Sequence, residues 1–279
     1  MALTKVIGNG LGATQEGAIT FNEGSADVDF RVESNGNANM LFIDGGNDQV
    51  GIGTNATNSY YAKNLVVSSS DEGGMTIVAE NTGHQNYIMF ADGTSGAERY
   101  RGYIGYEHNG DIMQMTSGGS SKFIVNDSAI AMNIDSTGAV TKPLQPYFSV
   151  YPSSVQSNVS NSGYDTIAFG SETFDVGSNF ASNTFTAPVT GKYHFSINMR
   201  LDSIDTSAAY YNIEIQTSNR SHAQLFSRHG TDPNYSNFMM TVIADMDAND
   251  TVIIRIFQNG GTSQTDINTS TTWYGYLLG

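Results

Sequence analysis

The chain contains no cysteine, only five prolines and a single tryptophan among 279 residues. Without cysteine, a disulfide framework and a thiolate metal site are both excluded. No apolar run approaches the roughly 20 residues that a membrane helix needs, and residues 1–8 lack the apolar core of a secretory signal. Basic residues are also scarce, since 12 Lys and Arg stand against 27 Asp and Glu. We therefore expect no nucleic acid partner, because phosphate contacts need clustered positive charge. We also expect no membrane insertion, because a membrane helix needs a long apolar run.

Turn-forming residues are abundant, and they separate short runs of alternating apolar and polar residues. The 30 glycines, with Asp-Gly at 92–93 and Asn-Gly at 109–110, supply the positive φ values that tight hairpins require. In the clearest run, 193–201, every odd-numbered residue is apolar, which predicts a half-buried antiparallel strand. No helical periodicity extends beyond about three turns, so the sequence predicts an all-β protein.

We divide the chain into three parts, 1–61, 62–143 and 144–279. Pro143 and Pro146 mark the last boundary. A weak internal repeat relates 43–50 to 134–140, because both read as strand, acidic turn and strand. Strands are predicted at 26–32, 40–43, 49–54, 64–68, 75–80, 87–90, 100–106, 111–116, 122–125 and 129–134 in the first two parts. In the third part they are predicted at 146–151, 166–169, 172–174, 180–186, 193–201, 210–217, 224–227, 238–244, 251–257 and 272–278.

The segment 174–201 and the ending 272–278, Thr-Trp-Tyr-Gly-Tyr-Leu-Leu, carry a family resemblance. Together they closely resemble the globular head domain of the complement first-component subunit q, a tumour-necrosis-factor-like jelly roll, over essentially all of 146–279. The resemblance implies a ten-stranded jelly-roll sandwich, a homotrimer, and binding rather than catalysis. The collagen stalk of the complement proteins is missing, because no Gly-x-y run occurs.

Most of 20–142 resembles the β-rich shafts of tailed-phage fibres, through segments such as 30–36, 50–54 and 87–96. This second resemblance implies a tail fibre of a virion, assembled in the host cytoplasm. The N-terminal part would attach to other virion tail proteins, and the head would bind a host-surface glycan or protein. Three chains wrapped around one axis would hide the strand edges that one chain leaves open.

Three other functions stay open at this stage. A structural decoration or capping fibre would use the jelly roll only to close and trimerise the shaft. A fibre-borne polysaccharide depolymerase would need a carboxylate pair to cut glycans. A bacterial surface adhesin is disfavoured by the missing export signal.

Two sets of residues are candidates for binding. The trimer interface is predicted to be an aromatic face, although these residues would equally suit a core within one chain: Tyr147, Phe148, Tyr193, Phe195, Trp273, Tyr274 and Tyr276. Receptor contact is predicted for two polar loops, 202–211 and 228–237, whose side chains suit sugar hydroxyls and stacking: Asp202, Asp205, Tyr210, Tyr211, Arg228, His229, Asn234, Tyr235 and Asn237.

Signatures of catalysis and cofactor binding are sparse, so we expect no enzyme and no cofactor. The carboxylates Glu98, Glu107 and Asp111 flank two arginines and read more simply as salt-bridged or solvated groups. His222 and His229 form a weak candidate metal pair across a hairpin, against solvated loop histidines. Calcium is an alternative at Asp245, Asp247 and Asp250, which otherwise read as an ordinary acidic turn.

Overall fold

The computed structural model describes residues 24–126, 128–227 and 230–279 of the chain. The described chain divides into two compact units, 24–88 with 105–114 and 89–104 with 115–279. Arg228, His229 and residues 1–23 of the predicted attachment segment 1–61 lie outside the described residues. No helix in the described ranges has the length and apolar character to cross a membrane.

Almost all regular structure is β-strand, as the alternating pattern predicts. Within the described ranges the helices are two short 3-10 turns, Thr57–Ser59 and Gly96–Tyr100. The strands are β1 (Phe30–Val32), β2 (Leu41–Asp44), β3 (Gln49–Ile52), β4 (Leu65–Val67), β5 (Gln85–Phe90), β6 (Gly102–Glu107), β7 (Ile112–Ser117), β8 (Ser121–Val125), β9 (Ala129–Ile134), β10 (Val140–Thr141), β11 (Tyr147–Tyr151), β12 (Tyr164–Thr166), β13 (Ser171–Val176), β14 (Phe180–Ala181), β15 (Thr184–Thr186), β16 (Gly191–Asp202), β17 (Tyr210–Thr217), β18 (Ser221–Ser227), β19 (Tyr235–Met246), β20 (Thr251–Asn259), β21 (Asp266–Ile267) and β22 (Thr272–Leu277).

Three small sheets precede the C-terminal domain. Strands β1 to β4 form a four-stranded sheet in chain order, in which β3 and β4 are parallel. Strands β5 to β7 form a three-stranded sheet in chain order, and β8 to β10 form another with β9 in the middle. Within β1 to β4 the buried hydrophobic residues are Phe42 and Val66. These sheets therefore bury little apolar surface within the chain.

The weak sequence repeat corresponds to two hairpins with the same turn chemistry. In the β2–β3 hairpin, Asp44 Oδ1 accepts the backbone N–H groups of Gly46 and Asn47 at 3.1 and 2.9 Å. In the β9–β10 hairpin, Asp135 Oδ1 accepts those of Thr137 and Ala139 at 2.8 and 3.0 Å. The hydrogen bond from the Asn47 side chain lowers the pKa of Asp44, and the one from Thr137 lowers that of Asp135. Each aspartate therefore ends a strand and closes the turn that follows it.

The C-terminal domain is a jelly-roll sandwich of two sheets. One sheet has the order β13-β11-β22-β16-β19, with β21 also paired to β16. The other has the order β14-β15-β20-β17-β18, with β12 also paired to β20. Each sheet has six strands, so the predicted all-β fold and the jelly roll are confirmed, with twelve strands instead of the predicted ten because the short strands β12 and β21 add one to each sheet.

The core of the sandwich follows from the period-two pattern of β16. Its apolar residues point inward, and Tyr193, Phe195, Ile197, Met199 and Leu201 are all 0% exposed. Facing rings from both sheets complete an aromatic cluster of Phe148, Phe180, Phe185, Phe195 and Trp273. Each large aromatic side chain buried in this way contributes several kcal/mol of gross stabilisation.

Three strand predictions need correction. Residues 75–80 form no strand, because this β-branched run finds no partner strand and stays almost entirely exposed. The strand predicted at 166–169 lies earlier, as β12. The single strand predicted at 180–186 is a hairpin, because Ser182 and Asn183 both adopt positive φ, at 51° and 64°, and turn the chain between β14 and β15.

Candidate binding surfaces of the C-terminal domain

Strand β16 runs from the end where the chain enters the jelly roll to the opposite end. At its first residues, the Lys192 N–H donates to Gly279 O at 3.0 Å, and beside it the Leu277 N–H donates to Pro146 O at 3.0 Å. At its last residue, Asp202 pairs with Tyr235, the first residue of β19. Twelve residues span about 37 Å. The loop 202–211 and the described part of the second loop, 230–237, therefore lie at the end of the domain farthest from the chain entry, which we call the tip.

The two tip loops contact each other. The Ser203 N–H donates to Asn234 O at 3.1 Å, and the Thr206 N–H donates to Asp232 Oδ1 at 2.8 Å. The hydrogen bond from the Thr206 side chain is the main reason that the pKa of Asp232 is lowered. Two loops that the sequence singles out separately thus form one surface.

Two of the predicted receptor contacts lie inside the tip instead. Asp205 and Tyr211 are only 4% and 0% exposed. The Tyr211 hydroxyl accepts the Asp205 N–H at 3.0 Å and is 2.7 Å from Thr265 Oγ1, and burial raises its pKa. Burial alone would raise the pKa of Asp205, but hydrogen bonds from Ser207 and Thr262 outweigh it and lower the pKa. These two residues hold the loop in place and have almost no surface to offer a receptor.

The outer residues of the tip form a polar surface with one aromatic ring. Arg200 binds both carboxylate oxygens of Asp202, at 2.8 and 3.4 Å, and Asn268 Nδ2 donates to Asp202 Oδ2 at 2.6 Å. The Arg200 guanidinium lies 5.1 Å from the ring centroid of Tyr235, which is 62% exposed. Asn237 pairs with Arg200 across the ladder. We call these five residues the tip platform.

Sequence reasoning missed two members of the tip platform, Arg200 and Asn268. Arg200 was detectable, because residues two apart on a strand share a face and Arg200 precedes Asp202 by two. Asn268 lies 66 residues further along the chain, so no local signal marks it. Among the other predicted contacts, Asn234 is exposed, while Tyr210 is half-buried with its ring 5.9 Å from that of Phe257 on the second sheet.

The predicted aromatic interface divides into two groups. Phe148, Tyr193, Phe195 and Trp273 are at most 1% exposed and lie in the domain's own core, so they have no surface to offer another chain. That part of the prediction is wrong, because neighbours on a strand point to opposite faces of the sheet.

The other group consists of Tyr147, Tyr274 and Tyr276, which are 38–40% exposed on the outer face of the first sheet. With Phe174 and Gln145 they line an open groove of about 570 Å³. We call these three tyrosines and Phe174 the tyrosine face.

A second apolar surface lies at the side of the sandwich where β18 and β19 are the edge strands. There Phe226 and Phe238 stack with ring centroids 3.8 Å apart and are only partly buried. Leu225, Met239 and Ile243 are more than 60% exposed. These five residues form the open edge of the jelly roll.

The candidate calcium residues each have a different protein partner. Asp245 lies 3.3 Å from Lys192 Nζ, Asp247 Oδ1 accepts from Thr190 at 3.5 Å, and Asp250 accepts the Ser218 hydroxyl at 2.8 Å. The backbone N–H of Asp247 is the main cause of the lowered pKa of Asp250. All three lie near the chain entry, at the opposite end of the domain from the tip. A separate group consists of the exposed Asp27 and Asp29 and the half-buried Asp44, whose carboxylate oxygen atoms lie within 4.8 Å of one another.

The candidate catalytic carboxylates are also engaged with neighbours. Glu98 accepts from Ser95 Oγ at 3.3 Å, and Glu107 accepts from Gln114 Nε2 at 3.0 Å. Asp111 accepts the Tyr106 hydroxyl at 2.9 Å, which raises the pKa of that tyrosine. For His222, burial and the neighbouring Arg220 lower the pKa. Each of these carboxylates thus accepts a hydrogen bond from a neutral side chain, whereas Arg101 pairs with Asp92 instead.

Comparison with known proteins agrees with this architecture. The C1q domain family model matches residues 148–278. Domains of this family are generally non-enzymatic binding domains that form trimers, and the match indicates no catalytic family. No curated protein matches the chain.

Solved structures of similar domains each cover 48% of the chain. The globular domain of zebrafish complement 1qA is 17% identical, with 48% of this chain and 98% of that chain covered and a TM-score of 0.36. Two structures of murine APRIL are 10% and 11% identical to this chain, with TM-scores of 0.35 and 0.37 respectively. In both cases the match covers 48% of this chain and 99% of the APRIL chain.

Proposed function

We propose that this protein is a tail fibre of a virion whose C-terminal jelly roll forms a trimeric head that binds the host-cell surface. The observation that carries the proposal is the tip platform, which lies at the end of the jelly roll farthest from the chain entry. A fibre that enters its head at one end presents the other end to a target. Arg200, Asp202 and Tyr235 are already held in one arrangement there, so little side-chain freedom is lost on binding.

The two apolar surfaces of the jelly roll support a trimer. The open edge and the tyrosine face are different patches, so they can meet between neighbouring copies in a head-to-tail contact. Such heterologous contacts close into a ring when the rotation between copies allows it. Tyrosines that combine an apolar ring with a polar hydroxyl are typical of interface centres. Three heads per fibre then allow weak individual contacts to hold a particle by avidity.

Cell binding of the full-length protein tests this function. Fluorescently labelled protein is incubated with a panel of bacterial strains, and retained fluorescence is measured with and without the substitution Tyr235→Ala. We expect at least a tenfold loss of binding to the recognised strain. Tyr61→Ala is the matched control, because Tyr61 is 106% exposed in the first unit and should leave binding unchanged.

A structural cap is the second candidate, and one observation favours it. The Asp202 carboxylate already binds Arg200 and Asn268, so its hydrogen-bonding capacity is satisfied within the tip platform without a ligand. If the folded trimer binds no strain in the panel, or if Tyr235→Ala binds as well as the parent protein, the results would contradict a receptor-binding head and support a structural cap.

A further inference from the structure

The three-stranded sheet that precedes the jelly roll has no core of its own. This neck sheet, β8 to β10, holds no buried hydrophobic residue among its described positions. Phe123, Ile124, Val125 and Val140 are instead 44–56% exposed. In the jelly roll that follows, by contrast, 25 hydrophobic residues form one buried cluster.

Apolar side chains lie on both faces of the neck sheet. Phe123 is opposite Met132, and Ile124 is opposite Ile130, with an irregularity in the register between the two pairs. Successive residues of a strand point to opposite faces. A three-stranded sheet needs at least one packed face to be stable in water. The apolar faces of the neck sheet therefore need another protein surface to pack against whenever the chain folds.

The connection to the jelly roll is short and fixed. Residues 142–146 join β10 to β11, and six residue steps reach at most about 21 Å. The Gln145 N–H donates to Lys142 O at 3.1 Å, and the Gln145 side chain donates to Leu277 O in the jelly roll. If three jelly rolls assemble, their neck sheets are therefore held close together, at an effective concentration on the order of millimolar.

We propose that the neck sheets of three copies of this chain pack on one another and form a hydrophobic core that exists only between chains. The proposal rests on the trimeric head of the proposed function and adds a second interface to it. Other copies of this chain are the partners that cover the neck sheet. They present the same apolar faces, each trimer supplies one neck sheet per chain, and the short connection to the jelly roll holds these sheets close together. Ordering of the neck sheet is thus coupled to association, and the neck clamps the trimer below the head.

Cross-linking tests the proposal directly, because the chain has no cysteine of its own. Phe123→Cys and Ile124→Cys are made one at a time in the full-length protein, so that each face of the neck sheet is sampled. Under mild oxidation we expect at least one of them to form covalent dimers at least tenfold faster than Ser136→Cys. Ser136 is the matched control, because it lies in the exposed β9–β10 turn of the same sheet.

Hydrogen exchange gives a second measurement that does not depend on thiols. In the double variant Phe123→Asp and Ile124→Asp we expect the amides of 121–134 to lose protection while those of β16 keep theirs. The trimer dissociation constant from sedimentation should rise at least a hundredfold. Cross-linking at both positions no faster than at Ser136, or full protection of 121–134 in protein diluted to monomer, would overturn the proposal.

The outcomes separate the neck interface from the function of the head. Fast cross-linking by a protein that binds no cells supports the neck interface and contradicts the proposed function. Cell binding that Tyr235→Ala abolishes, together with slow cross-linking at both neck positions, supports the function and contradicts the neck interface.

Discussion

Glu214 and Arg255 lie opposite each other on β17 and β20, with Arg255 Nη2 2.6 Å from Glu214 Oε2. Glu214 is only 5% exposed, although it points away from the core of the sandwich. The Tyr164 hydroxyl donates to Glu214 Oε1 at 2.6 Å, and the Arg255 guanidinium lies 4.0 Å from the Tyr164 ring centroid. A charged pair is thus enclosed by a tyrosine on the outside of the second sheet.

Substitution of Glu214 by Ala should destabilise the jelly roll by about 3 kcal/mol, because it leaves the partly buried Arg255 charge without its partner. The free energy of unfolding is measured in denaturant by the fluorescence of Trp273, the only tryptophan, which is buried in this core. Asp245→Ala is the control, since the Lys192–Asp245 pair is more than 60% exposed on both sides. Its loss should change stability by less than about 1 kcal/mol. Equal effects of the two substitutions would contradict the role assigned to Glu214.

The same carboxylate should make the jelly roll sensitive to acid. Burial alone would raise the pKa of Glu214, but hydrogen bonds from Tyr164 and Arg255 outweigh it and lower the pKa below the ordinary glutamate value. The stabilisation is therefore fully present above the unfolded-state pKa and is lost as the pH falls through the folded-state pKa. Unfolding free energies of the parent and of Glu214→Gln, measured across this acidic range, should converge as the pH falls. A constant difference between the two proteins would speak against this linkage.

Gly275 should tolerate no side chain. A Cβ placed there would lie 2.5 Å from Phe195 Cδ1 and 2.8 Å from Phe148 Cε1, both in the packed aromatic core. Gly275→Ala is expected to lower the free energy of unfolding by about 1–3 kcal/mol through overpacking. Gly163→Ala is the comparison, because its Cβ would meet only Ser160 Oγ at 3.9 Å. If both variants unfold at the same denaturant concentration, the aromatic core is less tightly packed at Gly275 than described.

Tyr211 should stabilise the tip through its hydroxyl. Tyr211→Phe keeps the ring but leaves the buried Asp205 N–H and the Thr265 hydroxyl without this partner. We expect a loss of about 1–2 kcal/mol and faster hydrogen exchange at 203–207. Exchange in β16 near Gly191, at the other end of the domain, serves as the internal reference. Unchanged exchange at 203–207 would show that the hydroxyl does not hold the loop.

The strands of the jelly roll were predictable because their alternating pattern is strong and local, whereas the jelly roll itself was implied by the resemblance of 174–201 and 272–278 to a known family. The alternation at 193–201 identified both the strand and its buried face, and the two polar loops were recognised by composition. The contact between those loops was not predictable, because Thr206 and Asp232 meet only through the pairing of β16 with β19. The proposed aromatic interface failed where it combined strand neighbours such as Tyr147 with Phe148.

The β14–β15 hairpin was missed for a different reason. Its turn is built by Ser182 and Asn183 rather than by glycine, so the usual signal for positive φ was weak. The Asn183 side chain also accepts the Phe169 N–H at 2.8 Å, and this long-range bond cannot be read from a local pattern. At 75–80 a strand was predicted that the structure does not contain, because this sequence favours a strand but has no partner strand to pair with.

The unbroken pairing of β16 with β19 has a mechanical consequence. The ladder joins Gly191 to Met246 at the entry end and Asp202 to Tyr235 at the tip, with every residue between them paired. A pull applied to Asp202 and resisted at the β19 end beside the entry runs along the strands and loads all of these hydrogen bonds in shear at once. The same force applied across the strands would open them one at a time. The domain should therefore withstand far more tension between its tip and its entry than across its width.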